Sequence, residues 1–307
     1  MTFRLVRPVF AVFLFAGLVS AADPELMNLL MPDAKVVAGI NVAQVKSSPF
    51  GQYLLSRMSA QNPLPSKTGF DPRTDLQEVL TGTAAQPVQK GLILARGNFN
   101  AQMIFAAAQA AGLTVETYDG IPILTGKAGK AHSFTRALAF LGSSIAIAGD
   151  LDSVHGAIDR RTNTSSGIDP ALAAQVEQLS ESLDAWSVST VPVSTLTANQ
   201  QLPDQQLNGI LDSNLFQSIQ QTSGGVKFGS TVQFSAQAVT NTSQNATALA
   251  DVVRFLGSMA QANAPAAAAA AIAALLQSLS IQTDGNTVNL AAALPESQLE
   301  SLLNEVH

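Results

Sequence analysis

Apolar residues along this chain fall into short runs, and between positions 137 and 161 the runs spell out a complete unit. Segments 137–141 and 145–148 are strand-length and apolar, separated by Gly142-Ser143-Ser144, the spacing of a hairpin with a glycine-containing loop. Asp150 then stands where a carboxylate can accept from the free N–H groups of a helix's first turn, and its charge suits that positive end. Leu151, Val154, Ala157 and Ile158 follow at helical spacing, with Arg160 and Arg161 in the last turn, where cations are favoured. The pattern predicts strand, turn, strand and capped helix.

The same pattern closes the chain. Segments 279–283 and 287–294 flank the turn tripeptide Asp284-Gly285-Asn286, and Pro295 opens a helix with Leu299, Leu302, Leu303 and Val306 on one face. A looser version precedes it. Val226, Phe228, Val232, Phe234, Ala236 and Ala238 keep one period-2 register, which fits either a long strand or a hairpin broken at Gly229-Ser230. A helix with Leu249, Val252, Val253 and Leu256 comes next, and the alanine-rich 265–276 reads as another, packed closely through its small side chains.

Nearer the start, 36–42 reads as a buried strand and Ser48-Pro49 as the cap and first residue of a helix bearing Phe50, Leu54 and Met58. The two prolines of 62–66 mark a loop, and 70–76 a short helical turn before strands at 78–82 and 91–96. Asn100 is placed to cap a helix carrying Ile104, Ala107, Ala108 and Ala111, stopped by Gly112. Segments 114–118 and 121–125 then flank Asp119-Gly120, a strong hairpin signal. Beyond the polar break 162–167, Asp169-Pro170 opens a helix with Leu172, Val176, Leu179 and Leu183, followed by an alternating strand through Trp186, Val188 and Thr190 and a second helix near 207–219.

Both halves therefore share an order of strand, helix, long strand, helix, hairpin and capped helix. The expected fold class is α+β: two similar halves, 22–161 and 170–307, with mostly antiparallel sheets, joined by a linker at 162–169 and related by internal duplication. Residues 1–21 stand outside the fold. Arg4 and Arg7 precede an apolar run from 9 to 21 ending in Val19-Ser20-Ala21, the pattern of a cleaved signal peptide and too short to span a bilayer comfortably. The expectation is an extracytoplasmic protein, periplasmic or secreted, with no integral membrane segment after cleavage.

Composition narrows the function. Of 307 residues 47% are hydrophobic and only 12% charged, so a large core is available and polarity rests on Gln, Asn, Ser and Thr. There is no cysteine, which excludes disulfides, thiolate metal sites and a lipid-modified N-terminal Cys. Positions 22–161 carry 12 Lys and Arg against 11 Asp and Glu, a balance of +1, whereas from 162 onward two cations oppose 11 acids, a balance of −9. Such a chain lacks the clustered cations that nucleic acid requires, and the acidic half serves solubility.

The segments MPDAKVVAGINVAQVKSSPFGQYLL, GFDPRTDLQEVLTG and ETYDGIPILTG occur in that order. They resemble a broad class of exported bacterial proteins of unknown function, which pair an apolar strand and an SPxxxxL helix with a YxGxxI hairpin and a strand ending before an "aID" sequence. The resemblance covers the first half. It implies an extracytoplasmic setting and carries over no activity, cofactor or site residue.

Candidate chemistry is sparse. His132, His155 and His307 lack paired metal-ligand spacing, and His155 falls one step off the apolar stripe of its helix, at a solvent edge. Gly142-Ser143-Ser144-Ile145-Ala146 approaches a nucleophile elbow, but its last glycine is replaced and a strand follows where a helix should. The stretch 120–127 has five residues between its glycines where a phosphate loop has four, and Ala128 follows Lys127 where Ser or Thr should stand; Lys127 and Lys130 read as a solvated loop. Asp150 and Asp152 sit in no glycine-spaced acidic loop. Asn163, Asn241 and Asn245 satisfy the N-x-[ST] triplet, common by chance in a Ser/Thr-rich chain. Phe50 and Phe70 read as core, with Tyr53 available to a ligand surface.

The sequence thus predicts no catalytic, cofactor-binding or metal residues. It favours a non-enzymatic binding or structural protein with a protein or apolar ligand, against an extracytoplasmic hydrolase using Ser and Asp side chains assembled by the fold.

Overall fold

Asp23-Pro24 and Asp169-Pro170 start two helices by the same device, a carboxylate on the first free amides followed by a residue with no amide to satisfy. Asp23 Oδ1 accepts from Glu25 N and Leu26 N, and Asp169 Oδ1 from Ala171 N and Leu172 N. Each helix leads into a central strand. The computed structural model describes residues 21–60, 68–85, 90–126, 135–165, 167–193, 195, 214–264 and 268–305. The first-half helices are α1 (Pro24–Leu29), α2 (Val42–Ser47), α3 (Pro49–Ala60), α4 (Pro72–Asp75), α5 (Ala101–Ala110) and α6 (Leu151–Asp159). Then come α7 (Pro170–Ser182), α8 (Asn214–Gln217), α9 (Ser243–Ala262), α10 (Ala269–Ser278) and α11 (Glu296–Glu305).

The strands are β1 (Ala34–Asn41), β2 (Leu76–Ala84), β3 (Gly91–Gly97), β4 (Thr114–Tyr118), β5 (Ile121–Gly126), β6 (Arg136–Leu141) and β7 (Ile145–Asp150), then β8 (Ala185–Ser189), β9 (Ile219–Lys227), β10 (Thr231–Thr240), β11 (Ser280–Asp284) and β12 (Thr287–Pro295). All 12 form one sheet in the order β11-β12-β10-β9-β8-β1-β2-β3-β7-β6-β5-β4. Every pairing is antiparallel. The fold is therefore α+β. The halves meet at β1 and β8, from Val36 opposite Ser189 to Ile40 opposite Ala185. Outward from this seam the order is the same on both sides: β1-β2-β3 then β7-β6, and β8-β9-β10 then β12-β11, with β5-β4 extending the first side.

Directly paired residues share a face. One face runs through Val37, Leu80, Leu94, Ile147, Ala139 and Ile123, all nearly or fully buried. It is roofed by Leu26 and Leu29 of α1, Val154, Ala157 and Ile158 of α6, and Leu172 and Val176 of α7. Trp186 and Val188 of β8 belong to the same cluster, so the core crosses the seam. Gly39 permits this, because a side chain there would collide with the Trp186 ring. Ile168, inside 162–169, is also part of this core. The opposite face carries two smaller clusters, one around Phe99, Phe140 and Phe105 under α5 and one around Val288, Leu249 and Ala250 under α9.

Most expected elements stand within two residues of their predicted ends, and four details differ. The strand expected at 36–42 stops at Asn41, whose side chain accepts from Gln44 N and starts the unpredicted α2. The open choice at 226–239 resolves to a hairpin, and its first strand reaches back to Ile219, which the sequence placed at the end of a helix. Pro295 ends β12 where it was expected to open α11. Residues 62–66, 127–132, 207–213 and 265–267, and the proposed signal within 1–20, lie outside the described residues.

Candidate functional site

The apolar face of the sheet changes character beyond β8. The pairing register places Ser235 of β10 between Gly225 and Ala291, and Gln237 between Ser223 and Asn289, all on the face that is core in the first half. Gln233, Ser235 and Gln237 are exposed there. The alternation of uncharged polar residues with Val232, Phe234, Ala236 and Ala238 makes β10 two-faced, as a half-covered antiparallel strand should be. α7 ends the roof. Its inner side is Leu172 and Val176, while Gln175, Gln178 and Ser182 recur at helical spacing on its outer flank.

The α7 flank and the polar sheet face enclose a cleft of about 360 Å³, within the roughly 300–1,000 Å³ typical of small-molecule sites. Gln175, Gln178 and Ser182 form the wall, and Ser223, Ser235, Gln237 and Asn289 the floor, with Leu179 and Leu183 between them. Among the described residues no charged side chain lines it. Gln221 Nε2 donates to Gln175 Oε1 at 2.7 Å, joining wall to floor, and Gln237 Nε2 donates to Asn289 Oδ1 at 2.9 Å, joining β10 to β12. Each bonded amide keeps groups to offer a ligand, since Gln and Asn have two donors and an acceptor. The side chains are thus oriented before a ligand arrives.

Gly224 sits in the middle of this floor with φ 151°. A Cβ there would run into the carbonyl of Ser235 and, at 2.7 Å, Ala236 Cα, so only glycine fits. A glycine interior to a strand marks close backbone approach or a local distortion, and here it lies where the wall helix and the polar face meet.

The residues singled out from the sequence fall elsewhere. Asp150 is buried and fully engaged, accepting from Ser153 N, Ser153 Oγ and Gly91 N, so it caps α6 and ties down β3. Asp152 is exposed beside Lys90. Gly142, Ser143 and Ser144 make the β6–β7 turn, with Gly142 at φ 64°, the Ser143 carbonyl accepting from Phe99 N and Ser144 Oγ accepting from Arg96. His155 lies flat on Tyr118, rings 3.8 Å apart and 9° from parallel, while the Tyr118 hydroxyl donates to Asp159. The structure therefore brings neither turn serine to His155. Gly120 occupies the β4–β5 turn, and Lys127, Lys130, His132 and His307 lie outside the described residues. Phe50 and Phe70 are packed against Phe228 and Phe99, and Tyr53 carries Arg57 over its ring. Asn245 Nδ2 donates to Asn241 Oδ1 at the start of α9. Among the described residues no group of His, Asp or Glu is arranged to hold a metal ion.

No protein-family model matches the chain, and no curated protein matches it. A solved structure, crystal form I of TP0453, is similar with a TM-score of 0.52 at 10% identity, covering 92% of this chain and 98% of that one. At that identity the likeness concerns the fold alone.

Two other features gather cavity or charge near α1. A cavity of about 540 Å³ lies between α1 and α7, walled by Met27, Ile168, Ala173, Ala174 and Val176. Asn28 and Glu177 are its polar side chains, and Ala21 and Ala22 form part of its wall, so it lacks convergent polar groups. At the other end of α1, Arg96 Nε donates to Asp23 Oδ2 and Nη2 to Glu25 Oε2, each at 2.7 Å, and Asp23 N donates to Glu78 Oε1. Burial would raise the Asp23 carboxyl, but the Arg96 hydrogen bond and charge, with the Leu26 and Glu25 amides, hold it below its ordinary value. Burial pushes Glu78 up. This cluster is fully used in fastening α1 to the sheet.

The cleft was absent from the sequence reading. Its only signal was Gln233-x-Ser235-x-Gln237, an uncharged polar stripe at period 2, and nothing in the sequence said that the flank of α7 stands beside it.

Proposed function

We propose that this chain is an exported, non-enzymatic binding protein whose ligand sits in the cleft between α7 and strands β9, β10 and β12. The carrying observation is a set of neutral amides and hydroxyls converging on one concavity, already oriented by the Gln221–Gln175 and Gln237–Asn289 bonds. Of the candidate ligands, a protein, an apolar molecule or a polar one, the convergent polar lining favours a polar one. Export is supported by Arg4, Arg7 and the apolar run ending at Ala21, and no described helix is long and apolar enough to cross a membrane. The matching strand order on the two sides of the β1–β8 seam supports an origin by internal duplication.

A thermal-shift screen against neutral, cationic and anionic small molecules tests the binding reading. Neutral polar compounds should raise the Tm of the native chain and not of Gln237→Arg, which places an unpaired charge in the cleft. Stabilisation that survives Gln237→Arg would move the site elsewhere.

A further inference from the structure

We infer that the cleft recognises a neutral saccharide through its hydroxyl groups; this rests on the binding reading above and names the ligand class. Three observations lead there. First, among the described residues the lining carries four amides (Gln175, Gln178, Gln237, Asn289) and three hydroxyls (Ser182, Ser223, Ser235) and no charged side chain. An ionic ligand entering would lose water with no counter-charge to receive it, a cost a neutral ligand escapes. Second, each lining amide offers both donor and acceptor capacity, Ser223 and Ser235 do the same, and Ser182, whose hydroxyl donates to the Gln178 carbonyl, keeps an acceptor, which matches a ligand whose every polar group is itself donor and acceptor. A sugar hydroxyl is such a group. Third, β9, β10 and β12 are interior strands here, each paired on both sides. Their backbones present no free edge, so an extended peptide cannot be read by strand addition. Recognition is left to side chains, and Leu179 and Leu183 provide apolar contact for the C–H faces of a ring.

Calorimetric titration of the full chain tests this, using neutral di- and trisaccharides of hexoses and N-acetylhexosamines, the matching uronic-acid analogues and uncharged tetrapeptides. At least one neutral saccharide should bind, with its uronate analogue weaker by about tenfold or more. Gln237→Ala and Gln175→Ala should each weaken binding by about tenfold, the worth of one lost hydrogen bond. Asn289→Asp, which keeps the shape and adds a charge, should abolish binding with an unchanged Tm. Asn28→Ala, in the α1–α7 cavity, should change nothing. If tetrapeptides bind, are lost in Gln237→Ala, and saccharides do not bind, the cleft remains the site and the saccharide inference falls. If uronates bind as tightly as their neutral parents, or no saccharide binds at millimolar concentration, the inference also falls. Saccharide binding indifferent to both glutamine variants would overturn the inference and the binding reading together.

Discussion

Glu78 carries its charge in a place that does not suit it. The side chain is half-buried and burial raises its pKa, its hydrogen bond from Asp23 N lowers it, the Asp23 carboxylate raises it again, and the Arg96 charge is shared with Asp23 and Glu25. Its folded pKa is raised, so its contribution is favourable at low pH and is lost as pH rises through that value. Glu78→Gln keeps an acceptor for Asp23 N and removes the charge. It should raise stability at neutral pH, by a margin that shrinks to nothing as acid protonates the native carboxyl; a constant or inverted difference across denaturant titrations from pH 3 to 8 would refute this. Asp23 behaves oppositely, its lowered pKa giving stability above the ordinary carboxylate range that fades as pH falls through the folded value. At Gly224 the argument is steric. Gly224→Ala should cost at least ~1–3 kcal/mol, read from urea unfolding, because the new methyl meets the β10 backbone and not a side chain that could move. A variant as stable as the parent would mean that β9 does not follow this path.

At the scale of elements, capping and turn chemistry were legible because they are local. Asn100 accepts from Met103 N, Asp150 from Ser153 N, and Gly112, Gly120 and Gly285 all have positive φ as their turns require. What escaped was set by partners distant in sequence. Strand β9 reads Ile-Gln-Gln-Thr-Ser-Gly-Gly, with too few apolar residues to announce a strand, and it is held by β8 on one side and β10 on the other. Helix α11 was expected as a repeat of α6, yet it packs against α3 across the molecule. There Glu296 Oε1 accepts from Phe50 N, while Ser48 Oγ accepts from Gly51 N, so the free amides opening α3 are shared between a local cap and a remote one. Glu296→Ala should therefore destabilise by ~0.5–1.5 kcal/mol, and Glu296→Gln, which keeps the acceptor, by less. Equal losses in the two variants would show that charge and not the cap matters. That contact fastens α11 to α3.

The whole molecule follows from one continuous sheet with a core that crosses its middle. The lone tryptophan, Trp186, sits at the seam over Gly39, in the cluster that also holds Leu26, Leu94 and Leu172. Its fluorescence and the far-UV signal should report one denaturation midpoint; an earlier Trp186 transition would mean that the halves separate before either unfolds. The capped helices and tight turns were readable from the sequence, because each carries its own local signals. That the halves join into a single sheet was not, since the β1–β8 pairing rests on alternating apolar residues such as Val37 and Val188 that would suit many partners. The cleft exists only as a product of this assembly, where the roofed and unroofed parts of one face meet. Side-chain amide NMR tests it most directly: a neutral polar ligand added to the labelled protein should shift the Gln175, Gln237 and Asn289 amide signals and leave Asn28 unmoved. Shifts confined to Asn28 would contradict the account and place binding between α1 and α7.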